Sequence, residues 1–336
     1  MKKILIVTDN LPNQINGVVT TYKNIETCAI RDGYTVDYIH PGRYRHVDCP
    51  KYHEVKLSIA TPKLVGQKIE EISPSYIHIA TEGPLGLCAR RYLTVHGYHY
   101  NTAYHTKFPE AINKILGMPE FLTWPIIRWF HSHSGKVLTT TPSMVKELVE
   151  HGFNSESLVS WTRGVDRDIF YPNFRHSTKH KILLNVSRVS KEKNLEAFYE
   201  LDIPNTRKIQ VGDGPMLEEY QDKYTDVEFV GFKEGKELAE YYQQADVFVF
   251  PSRWDTFGIV MIEAMACGTP VAAYPVTGPL DVVEPGVTGI LDDNLADAVI
   301  RCFYIDRETA YLGSKKWSWE RAWDIFKNNL VSYKRC

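Results

Sequence analysis

Six cysteines in 336 residues, none in Cys-x-x-Cys spacing, leave little room for sulfur chemistry. Cys28, Cys49, Cys88, Cys267, Cys302 and Cys336 sit mostly among apolar neighbours, and a disulfide framework is not expected at this length. They read as reduced core thiols of a cytosolic protein. No run reaches the ~18 consecutive apolar residues of a membrane-spanning helix. The opening "MKKILIVTDNLPNQ" carries two lysines and the apolar run ILIV, but Thr8, Asp9 and Asn10 end that run too soon for a signal peptide. It reads as a buried first strand. The segment after it, "TDNLPNQINGVV", lacks Gly-x-Gly-x-x-Gly, which argues against a dinucleotide-dependent oxidoreductase. No Asp-x-Asp follows any strand read below, so no strong metal site is expected. A net charge of −2 gives no footprint for general nucleic-acid binding.

What is present is an ordinary soluble composition, 43% hydrophobic and 24% charged. The length suits two domains better than one. Residues 1–165 hold 18 Lys/Arg and 14 Asp/Glu, whereas residues 166–336 hold 21 and 27. The halves therefore differ in sign, +4 against −6, either by drift of surface charge or because they meet different partners.

Short apolar runs alternate with helical stretches throughout. In the first half "KKILIVTD", "YTVDYIHPG", "SYIHIATEGPLG", "HYNTAYHT" and "GKVLTTTPS" read as strands. In the second half "KILLNVSR", "RKIQVGDGP", "VEFVGF", "VFVFPSR" and "TPVAAYP" do. Strands separated by 10–15-residue helical patterns mean βαβ units and parallel sheets. Two such series predict two doubly wound, Rossmann-like α/β domains facing across a cleft, joined near residues 163–181. The C-terminal stretch reads as an amphipathic helix with Trp319, Trp323, Phe326 and Leu330 on one face.

Ligands of open α/β sheets bind beyond the carboxyl ends of the strands. In the first half those positions hold Asp9, Asn10, Asn16, Gly17, Glu82, Gly83, His105 and Thr106. In the second they hold Arg188, Lys193, Gly212 to Gly214, Gly231, Phe232 and Asp255 to Gly258. Gly17 precedes a helix, whose N-terminus can approach an anion. Arg188 and Lys193 can both reach one phosphate group, Arg bidentately and Lys as a point charge. Gly212-Asp213-Gly214 is a short loop suited to backbone contact with a flat or sugar-like ligand. Each feature alone has a plainer reading: a turn, a solvated face, a satisfied histidine, or a helix cap for Asp255. All of them falling in order at strand ends points to a diphosphate held between the domains.

At this point the chain resembles the retaining glycosyltransferases of family 4, which have the GT-B fold. The most specific stretch is "VFVFPSRWDTFGIVMIEAMACGTPVAAYPVTGPLDVV", supported by "VSRVSKEKNLEAF", "VGDGP", "VGF" and "GVTGILDD" in the family's order. The family most often has Glu where this chain has Asp255, which leaves the donor sugar open. "SRWDTFG", "TEGPLGLCARRY" and "YHTKFPE" resemble a bacterial subgroup that glycosylates lipids or other glycans.

The resemblance implies a division into residues 1–165, with a helix at about 316–336 crossing back, and residues 166–315 as the nucleotide-sugar domain. It implies that Glu263 binds the ribose, and that Asp255 with the backbone of Thr256, Phe257 and Gly258 holds the donor hexose. Arg188 and Lys193 clamp the diphosphate opposite the Gly17 amide, and Gly212 and Gly214 line the site. Val230 and Phe232 lie by the base, and His105 lies beside the transferred sugar. Glu82 is read as a contact to the acceptor hydroxyl, or equally as a loop or capping residue, and Asn16 as a further substrate contact. The donor, a UDP-sugar first and GDP-mannose next, acts as a co-substrate; no cofactor or metal is required. A nucleotide-sugar 2-epimerase of the same fold and a non-catalytic sugar-binding protein are the alternatives.

The segment 105–136 mixes Phe108, Ile112, Ile115, Leu116, Phe121, Trp124, Ile126, Trp129 and Phe130 with Lys107, Lys114, Arg128 and Lys136. Two amphipathic helices packed on their own sheet explain it most simply. A surface for anionic membrane also fits, and with Arg43, Arg45, Arg90 and Arg91 it favours a lipid or lipid-linked acceptor.

Overall fold

A computed structural model describes residues 2–14, 16–49, 52–173 and 180–334. Residues 174–179 of the expected join, Cys336, and the side chains of Lys114, Ile115 and Leu116 lie outside the described residues. The chain divides into two compact units, Met1–Arg163 with Trp319–Cys336, and Gly164–Ser318.

The first unit is built on β1 (Lys2–Val7), β2 (Tyr34–Ile39), β5 (Tyr76–Ile79), β6 (Asn101–Tyr104), β7 (Val137–Thr139) and β8 (Leu158–Ser160), with a hairpin of β3 (His46–Cys49) and β4 (Tyr52–Ser58). Its helices are α1 (Gly17–Arg31), α2 (Pro62–Ile72), α3 (Pro84–Val95), α4 (Phe108–Leu116), α5 (Glu120–His131) and α6 (Pro142–Glu150). The main sheet runs in the order β2-β1-β5-β6-β7-β8, with every pairing parallel. β1 lies between β2 and β5, and Ile4 to Val7 are fully buried. Burial on both faces is why it reads as an unbroken apolar run rather than an alternation.

The second unit has β9 (Lys181–Val186), β10 (Thr206–Val211), β11 (Val227–Phe229), β12 (Val247–Phe250), β13 (Val271–Ala273) and β14 (Gly289–Leu291). They form one parallel sheet in the order β11-β10-β9-β12-β13-β14. Between and after them come α7 (Glu196–Tyr199), α8 (Leu217–Lys223), α9 (Gly235–Gln244), α10 (Ile259–Ala266), α11 (Pro279–Val282), α12 (Leu295–Cys302) and α13 (Arg307–Ser314). Both units are therefore doubly wound α/β layers.

The last helix, α14 (Trp319–Asn328), belongs to the first unit and packs on α1. Its buried face is Trp319, Ala322, Trp323 and Phe326. Leu330, expected on that face, falls beyond the helix end and is only partly buried. Trp323 Nε1 donates to Asp32 Oδ2 at 2.8 Å, and Trp161 Nε1 donates to the Ala322 carbonyl at 2.9 Å.

Local signals place several boundaries. Asn16 caps α1 by accepting from Val18 N and Val19 N, and Gly33 follows it at φ +81°. Thr141 caps α6 with Pro142 at its first position. Cys28, Cys267 and Cys302 are buried, whereas Cys49 and Cys88 are partly exposed. The core-thiol expectation therefore does not extend to the last two.

α5 is apolar on both faces. Trp124, Ile127 and Phe130 are buried, while Phe121, Leu122, Ile126 and Trp129 are at least half exposed or close to it, at 71%, 49%, 51% and 51%. Packing on its own sheet thus accounts for only half of the segment's apolar residues.

Candidate functional site

In the second unit the chain proceeds from β9 outward through β10 to β11, then returns to the other side of β9 with β12. The topological switch therefore lies between β9 and β12, the position at which doubly wound sheets bind ligands. The loop after β9 carries Arg188 and Lys193, and the loop after β12 carries Ser252 to Gly258. Lys193 Nζ meets Asp255 Oδ1 at 2.7 Å, a pair that bridges the switch. Asn194, in left-handed conformation at φ +55°, ties the same two loops by donating from Nδ2 to the Pro251 carbonyl at 3.0 Å. Burial alone raises the Asp255 carboxyl, but the adjacent Lys193 ammonium outweighs it and holds the group below its usual range. Lysine has three donors, so Lys193 retains capacity for an anion. The sequence reading gave Asp255 and Lys193 separate tasks; the structure makes them one unit.

Thr256 and Phe257 bury their side chains, and the Phe257 ring meets Trp317 edge-on at 5.4 Å. Gly258 sits at φ +82° at the start of α10, which has no side-chain cap. Gly278, in the loop after β13, is at φ +94°, and a Cβ there would lie 2.6 Å from the Asp255 carbonyl. Sequence reasoning missed Gly278 as a support of the Asp255 loop, although "VTGP" after a strand was the available signal.

One turn into α10, Glu263 Oε2 accepts from the Tyr242 hydroxyl at 3.0 Å. Burial pushes the Glu263 carboxyl up to about 7, against the opposing effect of that hydrogen bond. Tyr242 carries no motif, and its amphipathic helix α9 gave no hint of this contact.

Gly212 and Gly214 also have a packing use. A Cβ on Gly212 would lie 1.9 Å from the Ser187 carbonyl, and one on Gly214 would lie 2.4 Å from the Val189 carbonyl. Their small size lets the loop after β10 pack on the Arg188 loop, with Val189 N donating to Asp213 O at 2.9 Å. At the end of β11, Val230 is partly buried and Phe232 is 42% exposed.

The first unit brings a second set of residues to the carboxyl edge of its sheet. Asn16 spends its carboxamide oxygen on α1, at 3.0 Å to Val18 N and 2.9 Å to Val19 N, so it is first a cap. Gly17 is the first residue of that helix. Asp9 accepts from Leu85 N at 2.8 Å and from the Thr81 hydroxyl at 2.7 Å, which makes it a cap for α3. Burial raises it to about 6.

His105 lies in a buried chain. Arg163 Nη2 donates to His105 Nδ1 at 2.9 Å, and a guanidinium can only donate. His105 Nε2–H therefore donates to the Tyr22 oxygen at 2.8 Å, and the Tyr22 hydroxyl donates to His78 Nε2 at 2.7 Å. Burial and the Arg163 charge push His78 down to about 3 and His105 well below the usual histidine range. Both rings are neutral, and both nitrogens of His105 are used within its own unit. Sequence reasoning found His105 and missed Tyr22 and Arg163, which hold it.

Glu82 is buried at the end of the loop after β5, with Oε1 3.4 Å from His131 Nε2 of α5. An Asp-x-Asp does occur, at Asp166 and Asp168, beyond the three-residue β8 that the sequence reading did not recognise. There Asp166 Oδ1 accepts from Asp168 N at 3.0 Å and shapes a turn.

Two family models match. "Glycosyl transferases group 1" covers residues 166–301, and "Glycosyltransferase Family 4" covers residues 15–169. The chain is 29% identical over 321 residues to sulfoquinovosyl transferase SQD2 of Arabidopsis thaliana, covering 86% of this chain and 62% of that one. It is 26% identical over 368 residues to the GDP-mannose-dependent alpha-mannosyltransferase of Mycobacterium tuberculosis, covering 98% and 96%. The fold matches Anabaena Alr3699/HepE, solved with UDP and glucose, at a TM-score of 0.74 and 16% identity, covering 98% of this chain and 99% of that one.

Proposed function

The chain belongs to the family 4 glycosyltransferases, and from that premise we propose that it moves a hexose or hexuronic acid from a nucleotide-diphosphate sugar to a lipid or glycan acceptor, with retention at the anomeric carbon. The observation that carries the donor half is the Lys193–Asp255 pair across the switch of the second sheet, with Arg188 on the same loop as Lys193. A leaving nucleoside diphosphate gains charge as its bond to C1 breaks. Lys193, held by Asp255, and Arg188 on the same loop are the cations that meet this charge, and losing one such group commonly costs ~10²–10³ in rate. Asp255 serves both to hold Lys193 and to accept from sugar hydroxyls, beside the backbone of Thr256 to Gly258. Glu263, steadied by Tyr242, accepts from the ribose hydroxyls.

Asp255 and Glu263 are committed to binding, so neither serves as a covalent nucleophile. The acceptor hydroxyl attacks on the face the phosphate leaves, and the departing phosphate takes its proton. Two cations on one loop take the part a divalent ion plays elsewhere. Among the described residues there is no group of three or more His, Cys, Asp or Glu placed to hold a metal ion, and the chelator arm of the titration below tests the metal-independent reading. A UDP-sugar is the first choice of donor and GDP-mannose the second; relatives and fold neighbours with both kinds of nucleotide support keeping the two.

The acceptor contacts lie on the first unit, with Glu82 accepting from the hydroxyl that attacks. The outer face of α5 (Phe121, Leu122, Ile126, Trp129) fits the interface of a lipid bilayer, which favours a lipid acceptor. No helix among the described residues is long and apolar enough to cross a membrane.

Calorimetric titration with UDP, GDP, ADP and NAD, with and without a chelator, tests the reading. Micromolar binding of UDP or GDP that a chelator leaves unchanged is expected. Binding of NAD alone, or of none, would overturn it. Full turnover in the Arg188→Ala/Lys193→Ala variant would remove the diphosphate clamp.

A further inference from the structure

His131 closes α5 and is 3% exposed. The protons around it can be counted. The Lys136 carbonyl only accepts, so the Ser134 hydroxyl donates to it at 2.5 Å. The Thr102 hydroxyl then donates to Ser134 Oγ at 3.0 Å. Thr102 Oγ1 has only lone pairs left for His131, so Nδ1, 2.8 Å away, carries a proton.

The other ring nitrogen faces Glu82 Oε1 at 3.4 Å. Both atoms are buried, and neither has a hydrogen-bond partner among the described residues. A neutral ring protonated at Nδ1 would set a lone pair against a carboxylate oxygen in a site of low polarity, which is costly. A second proton, on Nε2, turns that conflict into an imidazolium–carboxylate pair. The position at the C-terminal turn of α5 favours a cation there as well.

We infer that His131 is a positioning residue for the acceptor site: it holds a proton against Glu82 Oε1, fixes the carboxylate, and leaves its second oxygen to accept from the attacking hydroxyl. The inference rests on the reading that Glu82 meets the acceptor. Other charged or titratable groups surround the pair. Arg90 of α3 donates to the carbonyls of Phe130 and Trp129. Tyr104 of β6 stacks edge-on to His131 at 6.1 Å. Lys107, Glu110 and Glu147 form the next ion-paired group, with Lys107 2.9 Å from Glu147 and 3.9 Å from Glu110. Asp9 lies within reach of the Glu82 charge. Sequence reasoning had no means to find His131, a lone histidine in an apolar helix 49 positions from its partner.

Two measurements on the full chain test the inference and separate it from the reading beneath it. Histidine-selective ¹⁵N labelling with a long-range ¹H–¹⁵N spectrum, assigned with His131→Asn, reads the ring directly. Both nitrogens protonated at neutral pH in the wild type, and loss of the Nε2 proton in Glu82→Gln, is the expected result. A neutral Nδ1–H ring that Glu82→Gln leaves unchanged overturns the pair.

The second measurement is sugar transfer from UDP-glucose or GDP-mannose to dioleoylglycerol in phosphatidylglycerol vesicles, with the donor KM as the internal reference. His131→Asn keeps the Thr102 contact and loses Glu82; it should raise the acceptor KM about tenfold, the effect of one lost hydrogen bond to a charge. His131→Gln, whose amide can donate to Glu82, should recover most of that loss, and a merely structural role would not produce the recovery. If the spectrum shows the pair but neither His131→Asn nor Glu82→Gln moves the acceptor KM, the acceptor role of Glu82 falls.

Discussion

A glutamate in water is a carboxylate at neutral pH, but Glu263 is raised to about 7 by burial, and its competence as a hydroxyl acceptor depends on losing that proton. Nucleoside diphosphate affinity should therefore fall as the pH is lowered from about 8 to 6, approaching tenfold per unit below the Glu263 value. Glu263→Gln should be weaker and flat over the same range, which titration of UDP or GDP at three pH values would show. The stability effect has the opposite sense. A carboxyl raised on folding adds stability that is complete below its unfolded value and is lost as pH rises through about 7. Denaturant midpoints of the wild type should fall over that interval relative to Glu263→Gln. Tyr242→Phe should weaken nucleotide binding with little effect on turnover, because the phenol only orients the carboxylate. Of these residues Asp255 was marked by its position just after a strand, whereas Glu263, inside a helix, was marked only by the family resemblance. Neither the Lys193 partner of Asp255 nor the Tyr242 partner of Glu263 was legible. Those pairings span 62 and 21 positions and depend on which strands are neighbours.

At the scale of elements, the ends of β9 and β10 behave as one piece because two glycines let their loops touch. Gly214→Ala drives a Cβ to 2.4 Å from the Val189 carbonyl, next to Arg188, and backbone cannot yield as a flexible side chain can. A cost of about 1–3 kcal/mol in denaturant unfolding is expected, together with weaker nucleotide binding as the Arg188 loop shifts. Gly286→Ala is the control: its φ of +79° strains an alanine, but nothing lies within 4 Å of the new Cβ. It should cost about 1 kcal/mol and leave the donor affinity unchanged. The buried inner strands were legible because β1 and β12 are apolar at every core position. The β3–β4 hairpin was not. Its sequence is rich in His, Asp, Glu and Lys, and the described residues of β3 are largely exposed, so no alternation marks it. β8 and β14 were also missed: β8 has no fully buried residue and β14 opens on a glycine.

The whole molecule is divided by contacts rather than by chain order, because the first unit is completed by the last helix. Phe326 of α14 is fully buried, its ring 4.9 Å from His78 and 5.1 Å from Trp161. Trp161 lies 5.7 Å from His105, so α14 supports the buried histidine chain of the unit it completes. An amphipathic helix at the end of the chain was plain from its spacing of tryptophans and phenylalanine. The surface it covers was not, since α1 shows only an ordinary apolar stripe until the partner is in place. Phe326→Ala should cost about 3–5 kcal/mol, the usual loss for a large buried ring. A chain of two units need not unfold in one step, so a single midpoint would blur where that loss falls. Hydrogen exchange resolves it: protection should drop in β1, β5 and β6, while the amides of β9, β10 and β12 keep theirs and UDP or GDP still slows their exchange. Equal loss in both sheets would mean that the two units do not hold their stability separately.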